Sequence, residues 1–154
     1  MSTTNRILVG FAAGFLSHVI FQGALGAALY AAHLIPALPW SLAGVPPLGI
    51  PRTVSLGCWA GLWGIAYVLL EPRITAALGR WTGGIAFGLV GPLMGHWFVA
   101  QPLRGLGVGG GFHAGMIPIE IAFHAVFGFG LAVLVWAAFG LGRRHPVAPQ
   151  ALRS

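Results

Sequence analysis

The chain has 154 residues, of which 57% are hydrophobic and 6% charged, with a mean hydropathy of +0.87. A water-soluble domain carries about 25% charged residues, so this composition excludes a soluble fold and points to a membrane protein. The formal charge of +6 comes from arginine alone. Those arginines stand mostly singly at the ends of apolar runs, where lipid phosphates, and not nucleic acid, are the expected partners.

A membrane-spanning helix needs about 20 apolar residues, and four such spans nearly exhaust the chain. The expectation is an all-α, single-domain transmembrane four-helix bundle with spans near 7–35, 53–70, 81–100 and 116–141 and a polar tail over 142–154. Run 7–35, at about 1.5 Å per residue, exceeds the roughly 30 Å hydrocarbon core, so its helix must tilt or protrude. It also outlasts the apolar core of a cleaved leader, about 7 to 15 residues, and reads as a retained span.

Residues 36–51 contain Pro36, Pro39, Pro46, Pro47 and Pro51 around Trp40. Proline at this density forbids a regular helix. An ordered interfacial loop follows, with Trp40 as its headgroup-level anchor. Span 53–70 places Gly57, Gly61 and Gly64 on one face and Ser55, Trp59 and Trp63 on the other, and Glu71-Pro72-Arg73 reads as its stop. Cys58, the sole cysteine, reads as a small buried residue with no disulfide partner.

Span 81–100 carries Gly84, Gly88, Gly91 and Gly95 within about 60° of one another on a helical wheel. Small residues at this spacing let membrane helices approach to backbone contact, so the stripe reads as a packing seam. Gly109-Gly110-Gly111 reads as a flexible turn. A phosphate-binding loop would need a preceding strand and a following Lys-Ser or Lys-Thr, which are absent. The tail beyond Arg143-Arg144-His145 reads as disordered.

Arg6, Arg73, Arg80, Arg143, Arg144 and Arg153 fall on one side of a four-span topology, with Arg52 and Arg104 on the other. This asymmetry puts both termini in the cytoplasm. A weak internal echo, His18 and Gln22 against His96 and Gln101, and Gly49 and Pro51 against Gly115 and Pro118, suggests a duplicated two-span hairpin.

The candidate polar site is His96, Glu120, His124, His33, Arg104, Gln22 and His18. Depth counting puts His33, His96, Glu120 and His124 in the outer half of the bilayer, Gln101, Arg104 and His113 near its rim, and His18 and Gln22 deeper. On a wheel, His18, Gln22 and His33 share a face of the first span, and Glu120 and His124 share one of the fourth. Polar groups in hydrocarbon cost several kcal/mol unless satisfied, so these faces should meet inside the bundle. One expectation is that Glu120 pairs with a histidine or with Arg104.

Imidazoles and one carboxylate are also a first shell for a metal ion, through His96, Glu120 and His124, although no ligand signature such as His-Glu-x-x-His is present. Haem b is another alternative, with His18 and His33 about 22 Å apart along one helix. The leading expectation is neither, and no cofactor. No nucleophile stands beside a base, since Ser17 points about 100° away from His18, so catalysis is not expected.

Pro46-Pro47-Leu48-Gly49-Ile50-Pro51, continuing into Trp59-Ala60-Gly61-Leu62-Trp63-Gly64, with Phe21-Gln22-Gly23, resembles small uncharacterised proteobacterial four-span inner-membrane proteins. The resemblance covers about the first half of the chain. It implies a four-helix fold in a bacterial inner membrane and brings no activity, cofactor or site residue. The expected function is a structural or accessory subunit, a homo-oligomer or part of a larger membrane complex, packed through glycine seams that include Gly57 and Gly61. The alternatives are a proton-coupled transporter or channel subunit using Glu120 and the histidines, and a haem- or metal-binding redox protein.

Overall fold

The computed structural model describes residues 2–46 and 48–142. Four helices in it are long and apolar enough to cross a membrane: α1 (Thr3–Ala31), α2 (Arg52–Leu78), α3 (Arg80–Leu103) and α4 (Ile117–Gly142). The proline segment adds a short antiparallel ladder of β1 (Gly44–Val45) and β2 (Ile50–Pro51), and the other regular elements among the described residues are helical.

Each helix runs antiparallel to the next, and α4 returns to α1. The register is set by close contacts. A Cβ on Gly64 would lie 2.9 Å from the Gly14 Cα and run into the Gly10 carbonyl, and one on Gly14 would run into the Ala60 carbonyl. The α1–α2 backbones therefore touch, which only glycine at these positions permits. Gly88 of α3 approaches Gly128 and the His124 carbonyl of α4 in the same way. Between α2 and α3 the Tyr67 and Phe87 rings meet edge to face at 5.2 Å. Ser17 Oγ donates to the Phe127 carbonyl at 2.7 Å and closes α1 against α4.

This arrangement gathers the proline segment and the Gly105–Gly115 turn at one end, the loop end. The N-terminus, the α2–α3 connection and the C-terminal end of α4 lie at the other, the terminal end. The core is narrow and contains Tyr67, Val68, Phe127, Leu131 and Val135, while Trp59, Leu62, Val90, Phe98 and Trp136 point outward.

The helix boundaries differ from the expected spans for identifiable reasons. α1 stops at Ala31, not at residue 35. His33 there takes a left-handed φ of 59°, with Leu34 N–H bonded to Leu29 O and His33 N–H to Tyr30 O. These are the two hydrogen bonds of a Schellman cap, so His33 ends the helix and does not extend its polar face.

α2 does not stop at Pro72 but continues to Leu78. Proline deprives the residue four positions earlier of its hydrogen-bond donor, here Val68. Arg6 Nη2 replaces that donor, reaching the Val68 carbonyl at 2.5 Å. α2 ends at Gly79, whose φ of 75° reverses the chain in a single residue before α3 begins at Arg80, a conformation that suits glycine.

The Gly84 to Gly95 stripe divides between two neighbours. Gly84 and Gly88 meet α4, whereas Gly91 and Gly95 receive the Trp63 indole of α2. Gly57 and Gly61 take the Phe15 and Phe11 rings of α1. All these contacts lie within the chain. Cys58 is exposed, not buried, because α2 turns its glycine face, and not Cys58, toward α1. The expected disordered tail lies outside the described residues, as do Arg143, Arg144, His145 and Arg153.

Candidate functional site

Two π-helical segments determine how the polar side chains meet. In an α-helix, residues five apart diverge by about 140°, which would separate His96 from Gln101. The His96–Ala100 segment closes instead with a Gln101 N–H to His96 O hydrogen bond. A π turn of this kind aligns residues five apart. The Gln101 side-chain amide consequently donates to His96 Nε2 at 2.8 Å and to Glu120 Oε1 of α4 at 3.0 Å. Trp97, one turn before Gln101 on the same face, donates its indole N–H to Glu120 Oε2.

Glu120 thus has both carboxylate oxygens engaged by α3. It sits in the first turn of α4, where the helix dipole favours an anion, and its side chain is 18% exposed. His96 Nε2 lies 3.6 Å from Glu120 Oε1, with the Gln101 amide donating to both. His124 stacks obliquely on His96, with ring centroids 5.4 Å apart and an interplanar angle of 39°. Its Nδ1–H donates to the Glu120 backbone carbonyl at 2.7 Å, so its proton is on Nδ1. His96 accepts at Nε2, so its proton is also on Nδ1 and the two imidazoles are the same tautomer.

The loop end covers this cluster. Phe112, held at a left-handed φ of 48°, packs edge to face on Trp97 at 5.3 Å. Gly110 lies directly over Gln101 Oε1, so closely that a Cβ there would collide with it. The glycine turn is packed against the cluster, with Gly109 buried and Gly109, Gly110 and Gly111 all at positive φ. Gln101 is 5% exposed, and its Oε1 has no protein hydrogen-bond partner.

His96, Glu120 and His124 are brought together, and the remaining candidates are not. His18 donates from Nδ1 to Gln22 Oε1 at 2.7 Å, and Gln22 Nε2 donates to the Phe123 carbonyl at 3.0 Å. This second polar contact ties the π segment Ser17–Gln22 of α1 to α4. His33 is exposed in the cap after α1, and Arg104 is exposed in the turn after α3. The expected Arg104–Glu120 pair is not formed. Among the described residues, the one ion-pair geometry is His96 with Glu120.

His33 lies past the end of α1, in its cap, so His18 and His33 do not share one helix. Among the described residues, no three His, Cys, Asp or Glu side chains converge as metal ligands. The ring nitrogens nearest Glu120 are committed to hydrogen bonds within the cluster.

Trp97, Phe112 and Ser17 belong to the polar framework but are absent from the sequence-based site. Trp97 was legible in principle, since it is four residues before Gln101 and shares its helical face. No protein-family model, curated protein or solved structure matches the chain.

Proposed function

We propose that the chain is a multi-pass protein of a bacterial inner membrane, with both termini cytoplasmic, that serves as a structural or accessory subunit of a membrane assembly. The membrane reading is supported by four apolar helices whose glycines face inward while Trp59, Leu62, Val90 and Phe98 face outward. Exposed apolar surface on this scale is expected against lipid and not against water. Arg6, Arg73 and Arg80 at the terminal end, against Arg52 and Arg104 at the loop end, support the orientation.

The observation that carries the subunit reading is the state of Glu120. Both of its oxygens are held by side chains of α3, so the carboxylate acts as a crosslink between α3 and α4. Since the Gly84 to Gly95 stripe is filled within the chain, a homo-oligomer or larger complex would be built through the outward apolar faces.

Glu120→Leu should lower the midpoint of unfolding in detergent, since it leaves the Trp97 N–H without an acceptor and Gln101 with His96 alone. Glu120→Gln keeps one acceptor and should retain most of the stability. Proteoliposomes of wild type and Glu120→Gln should show equal proton flux. A wild-type flux abolished in Glu120→Gln, with stability intact, would refute the structural reading in favour of a relay.

The relay is the second reading, and one observation favours it. His96 and His124 approach within 5.4 Å beside a carboxylate, beneath a buried amide with an unpartnered acceptor. Carboxylate and imidazole inside a membrane are a standard proton-transfer pair.

A further inference from the structure

The terminal end carries a second organised group, on the opposite side of the bundle's length from Glu120. Arg80 is the first residue of α3, and its guanidinium carbon lies 5.9 Å from the ring centroids of both Trp81 and Trp136. The two indoles meet each other edge to face at 5.9 Å. Arginine held over aromatic faces in this way keeps its planar fork of N–H donors ordered.

The other charged groups of this end are differently engaged. Arg6 is bonded to the Val68 carbonyl and lies over Phe139, and Arg73 is exposed. Glu71, the only acid of this end, accepts from Thr75 at 3.2 Å and is outside ion-pair distance of any described arginine. Arg80 is therefore an ordered cation without a carboxylate partner among the described residues.

Below it runs an aromatic strip. Trp81 stands 6.0 Å from Phe129, and Phe129 stands 6.4 Å from Phe21. Trp136, Trp81 and Phe129 are 51%, 44% and 39% exposed. The strip thus continues outward-facing from the guanidinium toward the middle of the bundle, along α4 and its neighbours.

We propose that Arg80, Trp81 and Trp136 form a seat for one anionic phospholipid, its phosphate held by the guanidinium and an acyl chain lying along Phe129 and Phe21. Charge selects the occupant. A fork of donors at the head of an apolar track matches a phosphodiester on a hydrocarbon chain, and anionic lipid is drawn to arginine at the cytoplasmic leaflet. The proposal rests on the membrane reading above.

The test uses full-length protein in phosphatidylcholine nanodiscs containing a minor share of phosphatidylglycerol with brominated acyl chains, read by tryptophan fluorescence. Brominated phosphatidylcholine at the same share is the control. Quenching assigned to Trp81 and Trp136, through Trp81→Phe and Trp136→Phe, should favour phosphatidylglycerol about fivefold, equivalent to about 1 kcal/mol for one arginine. Arg80→Gln should abolish the preference, Arg80→Lys should retain part of it, and Arg73→Gln should leave it intact.

Equal preference in wild type and Arg80→Gln would overturn the seat, as would an equal loss in Arg73→Gln, which would indicate a diffuse field. Trp59 is 65% exposed and serves as the internal reporter. If neither lipid quenches it, the membrane reading itself fails, separately from the seat.

Discussion

The contact between Arg6 and the Val68 carbonyl can be tested quantitatively. Pro72 cannot donate to Val68, and Val68 is fully buried, so its carbonyl depends on Arg6 at 2.5 Å. A hydrogen bond to a charged group contributes about 1.5–3 kcal/mol, and a buried acceptor left without a partner costs about 1–3 kcal/mol. Arg6 also lies 5.5 Å from the Phe139 ring centroid, worth about 0.5–1 kcal/mol at a partly exposed site. Arg6→Ala should therefore destabilise the bundle by about 2–3 kcal/mol.

Much of that loss should depend on the proline. In Pro72→Ala the new backbone N–H can bond the Val68 carbonyl, so Arg6→Ala in that background should cost about 1 kcal/mol, mainly the loss of the Phe139 contact. The two mutations should thus show a coupling of about 1–2 kcal/mol in a double-mutant cycle. The assay is unfolding in mixed micelles titrated with a denaturing detergent, followed by far-ultraviolet circular dichroism. An equal cost of Arg6→Ala in both backgrounds would refute the argument that Arg6 replaces the missing donor.

Other perturbations follow from particular contacts. Gly64→Ala would drive a methyl into the Gly10 carbonyl and should lose about 3 kcal/mol or prevent folding, whereas Gly57→Ala meets the Phe15 ring, which can rotate, and should lose less; the same unfolding titration separates them. His33→Gly should raise stability by about 0.5–1 kcal/mol, because glycine relieves the left-handed φ of the cap at a partial cost in unfolded-chain entropy. Trp97→Phe should lose about 1.5–3 kcal/mol through the Glu120 contact, and Glu120→Gln in the same background should recover little of it.

The number of helices and their approximate positions were legible from hydropathy, because a span must be long and apolar whatever it packs against. The boundaries were less legible. Pro72 is a stop signal on local grounds, and α2 passes through it only because Arg6, distant in sequence, supplies a donor. His33 is an unexpected cap residue, since glycine or asparagine usually takes that position. The glycine stripe of α3 was visible, but its division between Gly128 and Trp63 depends on which helix each turn faces, and a wheel carries no such information. In the polar cluster, Glu120 and His124 could be paired from their spacing. Gln101 joins His96 only through a π turn, and the uniform 100° per residue assumed on a wheel fails at that point.

Apart from the Arg6–Val68 contact between α1 and α2, the interhelical polar contacts converge on α4. Trp97 and Gln101 reach its carboxylate, Gln22 reaches its Phe123 carbonyl, and Ser17 reaches its Phe127 carbonyl. α4 is also the most apolar of the four, with a mean hydropathy of 2.1 over its span. An apolar helix in hydrocarbon still has carbonyl oxygens with a second lone pair, and these are the acceptors that polar side chains on its neighbours can use. Side chains of α1 and α3 therefore supply the donors, and α4 supplies the acceptors: backbone carbonyls toward α1 and the Glu120 carboxylate toward α3. Two of the three π segments serve this division, since Ser17 and Gln22 bound one and His96 and Gln101 bracket another, while the third, Leu89–Leu93, carries no polar side chain. A π turn re-aims a side chain without a change of sequence elsewhere, which lets two regular helices present donors to a third at heights that a straight α-helix would miss.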